Sequence, residues 1–192
     1  MSSGSGRRRP CMSTHVKTKN LADLYELESL EWEAVAGALA DLGDQAPGGQ
    51  GPDRHSHWLT TVNADGSPHT TGVGAFWDDG RFFVVSGRGV RKGRNMEREP
   101  RCTIAVATDD YDVVVEGVAD LVTDPAEVAR IAKIAADGGW PAKPDESGTA
   151  LTAPYSAPSA GPAPWHVYRV TPTKANALWV REQGGATAFE FD

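Results

Sequence analysis

The most constraining feature of the chain is a series of short apolar runs between His57 and Val122, parted by turns of two to four residues. "HWLTTV" alternates Trp58, Thr60 and Val62 against Leu59 and Thr61, the period of a half-buried strand. "NADG" follows, with Asp65-Gly66 suited to positive φ, and then "HTTGVGAFW", "DDG" and "RFFVVS". "RCTIAVA" and "DVVVEGVADLV" are joined by "TDDY". Connections this short allow only antiparallel neighbours, because a parallel pair needs a crossover of about a dozen residues or more. "WHVYRVTP" supplies a sixth strand, and "KANALWV" pairs near it. An antiparallel meander with one inserted helix favours a small closed or half-closed β-barrel, which removes exposed edges.

The remaining segments frame this meander. Residues 1–20 are Ser/Gly-rich and basic with no apolar stretch, and read as a disordered leader. Leu21, Leu24, Leu27, Leu30, Val35, Leu39 and Leu42 recur at helical steps and predict an N-terminal helix over 21–42, capped by Asp23 or Ser29 and ended by Gly43. Asp124-Pro125 opens a second helix, "PAEVARIAKIAADGG". "TAPYSAPSAGPAP" reads as an extended loop, and 183–192 as a tail beyond a single domain over 21–182.

Bulk chemistry excludes several function classes. A net charge of −7 disfavours generic nucleic-acid binding, and no apolar run is long enough for a membrane helix. Two cysteines, Cys11 and Cys102, make no disulfide framework, which suits a cytoplasmic protein. Cys102 alternates with Ile104 and Val106 as core. His55 and His57 share a strand face but lack a third ligand, so no metal site is expected, and both read as surface residues.

Against this acidic background, Arg88, Arg91, Lys92, Arg94, Arg98 and Arg101 crowd the end of "RFFVVS". The stretch "SGRGVRKGRN" is neither a Walker loop nor a dinucleotide fingerprint. Gly87 and Gly89 let backbone amides approach a ligand. A helix starting near Val90 and stopped by Pro100 would aim its free amides at the same place. Arg91 and Lys92 then add a fork and a point charge suited to phosphate. A solvated basic turn is the alternative for the turn taken alone. Gly72 and Gly74 would let a flat ring lie against the second strand, or would mark a bulge. Trp77, Tyr155, Trp165 and Trp179 are candidates for a substrate pocket, with Tyr155 favoured by its place in the Pro-rich loop.

The order and spacing of these pieces, across "TTVNADGSPHTTGVGAFWDDGRFFVVSGRGVRKGRNMEREPRCTIAV", resemble the split β-barrel family typified by pyridoxamine 5′-phosphate oxidase. The resemblance spans roughly residues 55–180. It implies a mainly β, α+β fold: an antiparallel six- to seven-stranded split barrel with peripheral helices, of the FMN-binding type. It also implies that Arg91 and Lys92 hold a cofactor phosphate. Ser86, Gly87 and Asn95 would complete that cradle, and Thr70, Thr71, Gly72, Val73 and Gly74 would run along the isoalloxazine ring. Such chains pair as homodimers with the cofactor at the interface. The oxidase's Arg/His-rich ending is reduced here to Arg181, which argues against pyridoxamine phosphate as substrate. "NMEREPR", "YDVVVEG" and "YSAPSAGPAPWHVYRVTP" are more similar to the branch using the deazaflavin coenzyme F420, where Arg88 and Arg94 would suit a longer anionic tail. The expected activity is hydride transfer from F420 to a small conjugated organic substrate, with no obligatory catalytic side chain. FMN is the alternative cofactor. A non-catalytic flavin or haem carrier is the alternative class, for which His55, His57, His69 and His166 are the available axial ligands.

Overall fold

The computed structural model describes residues 16–42, 56–156, 158–181 and 183–192. The elements begin with β1 (Val16–Asn20), a 3₁₀ turn over Asp23–Tyr25 and α1 (Trp32–Asp41). The meander follows as β2 (His57–Val62), β3 (Pro68–Val73), β4 (Ala75–Asp78) and β5 (Arg81–Ser86). Then come α2 (Arg91–Arg98), β6 (Arg101–Ala107), β7 (Tyr111–Leu121) and α3 (Pro125–Asp137). A short pair, β8 (Lys143–Pro144) and β9 (Leu151–Thr152), precedes β10 (His166–Trp179) and β11 (Ala186–Phe191).

Local chemistry sets the reversals. Asp65 accepts from both the amide and the hydroxyl of Ser67, at 2.9 and 2.6 Å, and Gly66 sits at φ 85°. Asp79 and Gly80, at φ 49° and 73°, meet the type I′ requirement for the tight hairpin between β4 and β5. Asp124 caps α3 by accepting from the Ala126 amide at 3.1 Å, with Pro125 in the first turn.

Pairing then closes a ring. β2 lies between β3 and β6, β6 pairs β7, β7 pairs β10, and β10 pairs β5. β5 pairs β4, which continues from β3 across Gly74, so that bend closes a six-stranded barrel. Its interior holds Leu59, Phe82, Ile104, Val115 and Val170, with Val35 and Leu39 of α1 packed against it. The other face of β5 buries Phe83 under α3, beside Ile131, Trp140 and Trp165. "RFFVV" therefore reads as a continuous apolar run because the strand is covered on both sides. Among the described residues, no helix is long and apolar enough to cross a membrane.

Several expectations at the chain's ends are corrected. Residues 16–20, expected in the leader, form an edge strand, with Val16 opposite Phe191 and Asn20 opposite Thr187. Residues 186–191, expected as tail, form β11 between β1 and β10, and Phe189 is fully buried. The Gly184-Gly185 pair, at φ 66° and 155°, turns the chain back instead of releasing it. The helix expected over 21–42 is confined to Trp32–Asp41. Asn20 ties down the segment before it, accepting from the Ala22 amide and donating to the Leu27 carbonyl, at 2.8 and 2.7 Å. The Leu30 amide donates to the buried Thr187 hydroxyl at 2.8 Å, so contacts with β11 override the helical spacing. "HTTGVGAFW" is split at Gly74, while "WHVYRVTP" and "KANALWV" are one strand. Pro172 is accommodated where β5 ends and β11 begins as the neighbour of β10, beside a register shift before Lys174. His57 is buried in the barrel, 5.7 Å from the Phe82 ring, and is not a surface residue; His55 lies outside the described residues.

Candidate functional site

The site is built where β5 ends and α2 begins. Ser86 is buried and donates to the Gly87 carbonyl at 3.2 Å. The chain then turns through Arg88 and Gly89 to Val90, the N-cap of α2, whose carbonyl accepts the first helical bond from the Arg94 amide at 3.0 Å. No side chain caps this helix, so the amides of its first turn point toward the junction without intrahelical acceptors. Gly93 fixes how closely helix and turn meet. A Cβ there would stand 2.3 Å from the Gly87 carbonyl oxygen. Gly87 is equally confined, because its Cβ would stand 2.7 Å from the Ala160 carbonyl oxygen.

The basic cluster divides sharply. Arg88 is held by Glu97 through two contacts of 2.5 and 3.2 Å. Arg94 donates to the Gly89 carbonyl at 2.5 Å, and Arg101 forks onto Glu99 at 2.8 and 2.9 Å. Arg98 donates to the Val62 carbonyl. Lys92, only 3% exposed, donates from Nζ to the Ser159 carbonyl at 2.5 Å. Among the described residues, Arg91 is the cation of this cluster with no hydrogen bond or ion pair, and it is exposed. Arg88 and Arg94, the candidates for a longer anionic tail, are both engaged within the chain. Burial lowers the Lys92 ammonium pKa below its ordinary value. His69 on β3 is also lowered, first by burial and then by the Arg91 and Lys92 charges, which links β3 to the helix start.

The other expected cofactor residues fall into two groups. Thr70 and Gly72 lie on the outer face of the barrel, with Thr70 Oγ1 2.9 Å from Thr60 Oγ1 and Gly72 opposite the exposed Trp58. Thr71 and Val73 alternate to the other face, Val73 packing on the core, and Gly74 is the bend. Asn95 is not free for a ligand. Its Nδ2 donates to Thr61 Oγ1 and Asn63 Oδ1 at 3.0 and 3.1 Å, and its Oδ1 accepts from Arg98 at 3.2 Å. It docks α2 on β2 and positions the junction.

The four pocket aromatics are not brought together. Trp77 packs edge-on to Trp32 and Phe82 at 5.9 and 4.8 Å, under α1. Trp165 is buried with Trp140 at 5.8 Å in the α3 layer. Trp179 stands at the far end of β10 near Tyr111, 6.3 Å between rings. Tyr155 is exposed and reaches Trp140 through its backbone, which accepts from the indole at 2.7 Å. The four were grouped by residue type, and the fold sends them to the α1 layer, the α3 layer, the far end of β10 and the exposed loop.

Four contributors escaped the sequence reading. Ser159 and Ala160 supply the carbonyls that meet Lys92 and Gly87, the latter through its amide at 3.0 Å. Glu97 and Tyr168 anchor Arg88: the Tyr168 hydroxyl donates to Glu97 Oε1 at 3.2 Å. The Arg88 contact first, and that Tyr168 hydrogen bond, hold the Glu97 carboxyl below its ordinary value, while burial pushes the Tyr168 phenol up. This trio walls a cavity of about 410 Å³ whose other side is Met96, Pro100 and Leu121. Only the Gly-x₅-Gly spacing of Gly87 and Gly93 hinted at the close approach.

The fold and this junction define an antiparallel α+β split barrel with a basic helix start at its rim. The model of the pyridoxamine 5′-phosphate oxidase family matches residues 52–178, and the chain belongs to that family of flavin-binding oxidoreductases. No curated protein matches the chain. Among solved structures, it is similar to a pyridoxamine 5′-phosphate oxidase-related, FMN-binding protein from Nostoc punctiforme, at 17% identity over 85% of this chain and 97% of that one, with a TM-score of 0.53. A conserved hypothetical protein from Mycobacterium tuberculosis is similar at 18% identity over 78% and 84%, TM-score 0.54. An F420 reductase shares 22% identity over 62% and 87%, with a TM-score of 0.45, too loose a likeness to bear on this chain's cofactor.

Proposed function

We propose that this chain binds a phosphate-bearing flavin-type cofactor at the β5–α2 junction and works as an oxidoreductase, with coenzyme F420 as the cofactor. The observation that carries the site is Arg91, exposed and without a partner among the described residues, at the start of α2 beside buried Lys92. A guanidinium, an ammonium and free helix amides are the donor set a phosphate takes. The donors fit that group: Arg91 would hold it from the solvent side, Lys92 from below, and Gly87 and Gly93 keep the backbone close. When bound, the cofactor supplies hydride transfer to a small conjugated substrate. The protein's own residues bind, orient and exclude water.

F420 rests on the likeness of "NMEREPR" and the Pro-rich loop to the deazaflavin-using branch. One observation favours FMN instead: Arg88 and Arg94, the cations suited to a longer tail, already have partners in the chain. A second copy of the chain is part of the proposal. The outer face that carries Thr70 and Gly72 also exposes Trp58 (51%), Val114 and Val118, an apolar patch that pairing would cover.

Equilibrium titration of purified protein with F420 and with FMN tests the reading. We expect F420 to bind more tightly, and expect Arg91→Ala with Lys92→Ala to weaken binding by at least a few kcal/mol. Tighter FMN binding overturns the cofactor, and absence of binding by both overturns the site. Sedimentation velocity checks the dimer.

A further inference from the structure

The two buried donors of the junction serve consecutive carbonyls of one segment. Lys92 Nζ donates to Ser159 O at 2.5 Å, and the Gly87 amide donates to Ala160 O at 3.0 Å. We propose that residues 158–161 form a strap whose Ser159 carbonyl competes with a phosphate group for Lys92, so that anion binding and release of that carbonyl are coupled. The proposal rests on the junction being the phosphate site.

Three features make the strap displaceable. First, it gives Lys92 a poor match. An ammonium carries three donors and a full charge, and the Ser159 carbonyl is the one acceptor it meets among the described residues. A phosphate oxygen is the stronger partner for the same donor. Second, the strap is held unevenly. Ser159 is exposed, whereas Ala160 is buried in the α3 layer and Gly161 O accepts from the Trp165 indole at 2.8 Å. Turning the Ser159 carbonyl away from Lys92 leaves those inner anchors in place. Third, the strap touches the helix start directly. Gly161 lies at φ 75°, and a Cβ there would stand 2.7 Å from Val90 Cγ1, at the N-cap of α2. The strap is thus fitted to the same helix end that would receive the anion.

Coupling of this kind is reciprocal, so whatever weakens the strap strengthens anion binding by the same factor. Gly161→Ala adds a methyl against Val90 at a positive φ and loosens the strap. Val90→Ala removes the packing contact from the other side and serves if the first variant does not fold. Calorimetric titration with FMN and with F420, using riboflavin as the phosphate-free control, reads affinity. Hydrogen exchange of the peptide spanning 153–164 reads the strap. We expect the nucleotide to raise exchange at 159–161, riboflavin not to, and Gly161→Ala or Val90→Ala to tighten nucleotide binding by about fivefold or more. Unchanged or slowed exchange on binding, or weaker binding by the loosened variants, overturns the strap while Lys92→Met still weakens both nucleotides. If Lys92→Met leaves both affinities unchanged, the site itself is wrong and the strap falls with it.

Discussion

Two glycines in helices should respond in opposite directions to the same substitution. Gly93 lies in the first turn of α2, where an added Cβ would stand 2.3 Å from Gly87 O and 3.0 Å from both Cα and O of Arg88. All three obstacles are backbone, so no side chain can swing away. Helix and turn must part by about 1 Å to reach van der Waals separation. Overpacking of this kind costs about 1–3 kcal/mol, against which alanine gains about 1 kcal/mol of helix propensity. A net loss of up to about 2 kcal/mol follows, or up to about 8 °C in Tm for a chain of this size. Gly37, exposed in α1, has nothing among the described residues within 4 Å of an added Cβ. There alanine has only the propensity gain, a stabilisation of about 0.5–1 kcal/mol. Urea unfolding of both variants, with FMN and F420 titration of Gly93→Ala, checks the pair. The parting of α2 from the turn also moves Lys92 and the Gly87 amide, so nucleotide affinity should fall further than stability. A Gly93→Ala protein as stable as its parent, with unchanged affinity, would refute the close packing on which the site depends.

Phe189→Ala should cost about 3–5 kcal/mol in urea unfolding, because its fully buried ring packs against Trp32 at 5.1 Å as well as in the barrel; a loss below about 1 kcal/mol would detach β11 from the core. Glu97→Gln should cost about 1 kcal/mol at neutral pH, discounted because Arg88 and Glu97 are partly exposed. Its pH dependence has a definite sign. A carboxyl held below its ordinary value of 4.5 stabilises the fold above that value, and the gain is lost as pH falls through the lowered folded value. The parent should therefore lose this increment on acidification below about 4.5 and the Gln variant should not; parallel acid curves would show that the Arg88–Glu97 pair contributes nothing.

What the sequence made legible had local causes. The turns at Asp65-Gly66 and Asp79-Gly80, the cap at Asp124, and the stop of α2 before Pro100 are each written in two or three adjacent residues. The barrel followed from turn lengths alone. What stayed hidden had partners far away in sequence. β1 and β11 form because each covers the other's edge, 175 residues apart at Lys17 and Asp192. Their own stretches, beside a Ser/Gly-rich sequence and a Gly-Gly pair, resembled ends. The four aromatics shared a residue type but not a face, and only the ring of strands could separate them.

The basic stretch shows the same division at the level of single side chains. Counted in sequence, six cations form one pool, in which the family resemblance made Arg88 and Arg94 candidates for a longer anionic tail. In the fold the pool is spent residue by residue: Arg88 on Glu97, Arg94 on Gly89, Arg98 on Val62 and Arg101 on Glu99. Two of those partners are carboxylates, so half of the local positive charge outside Arg91 and Lys92 is neutralised where it stands. What would face the proposed ligand is one guanidinium without a partner among the described residues and one buried ammonium held by a carbonyl 67 residues away. That is the donor set for a single phosphate. Discrimination between cofactors that share a phosphate then has to come from elsewhere, and the outer sheet face around Thr70, Gly72 and Trp58 is where the rest of the molecule would lie.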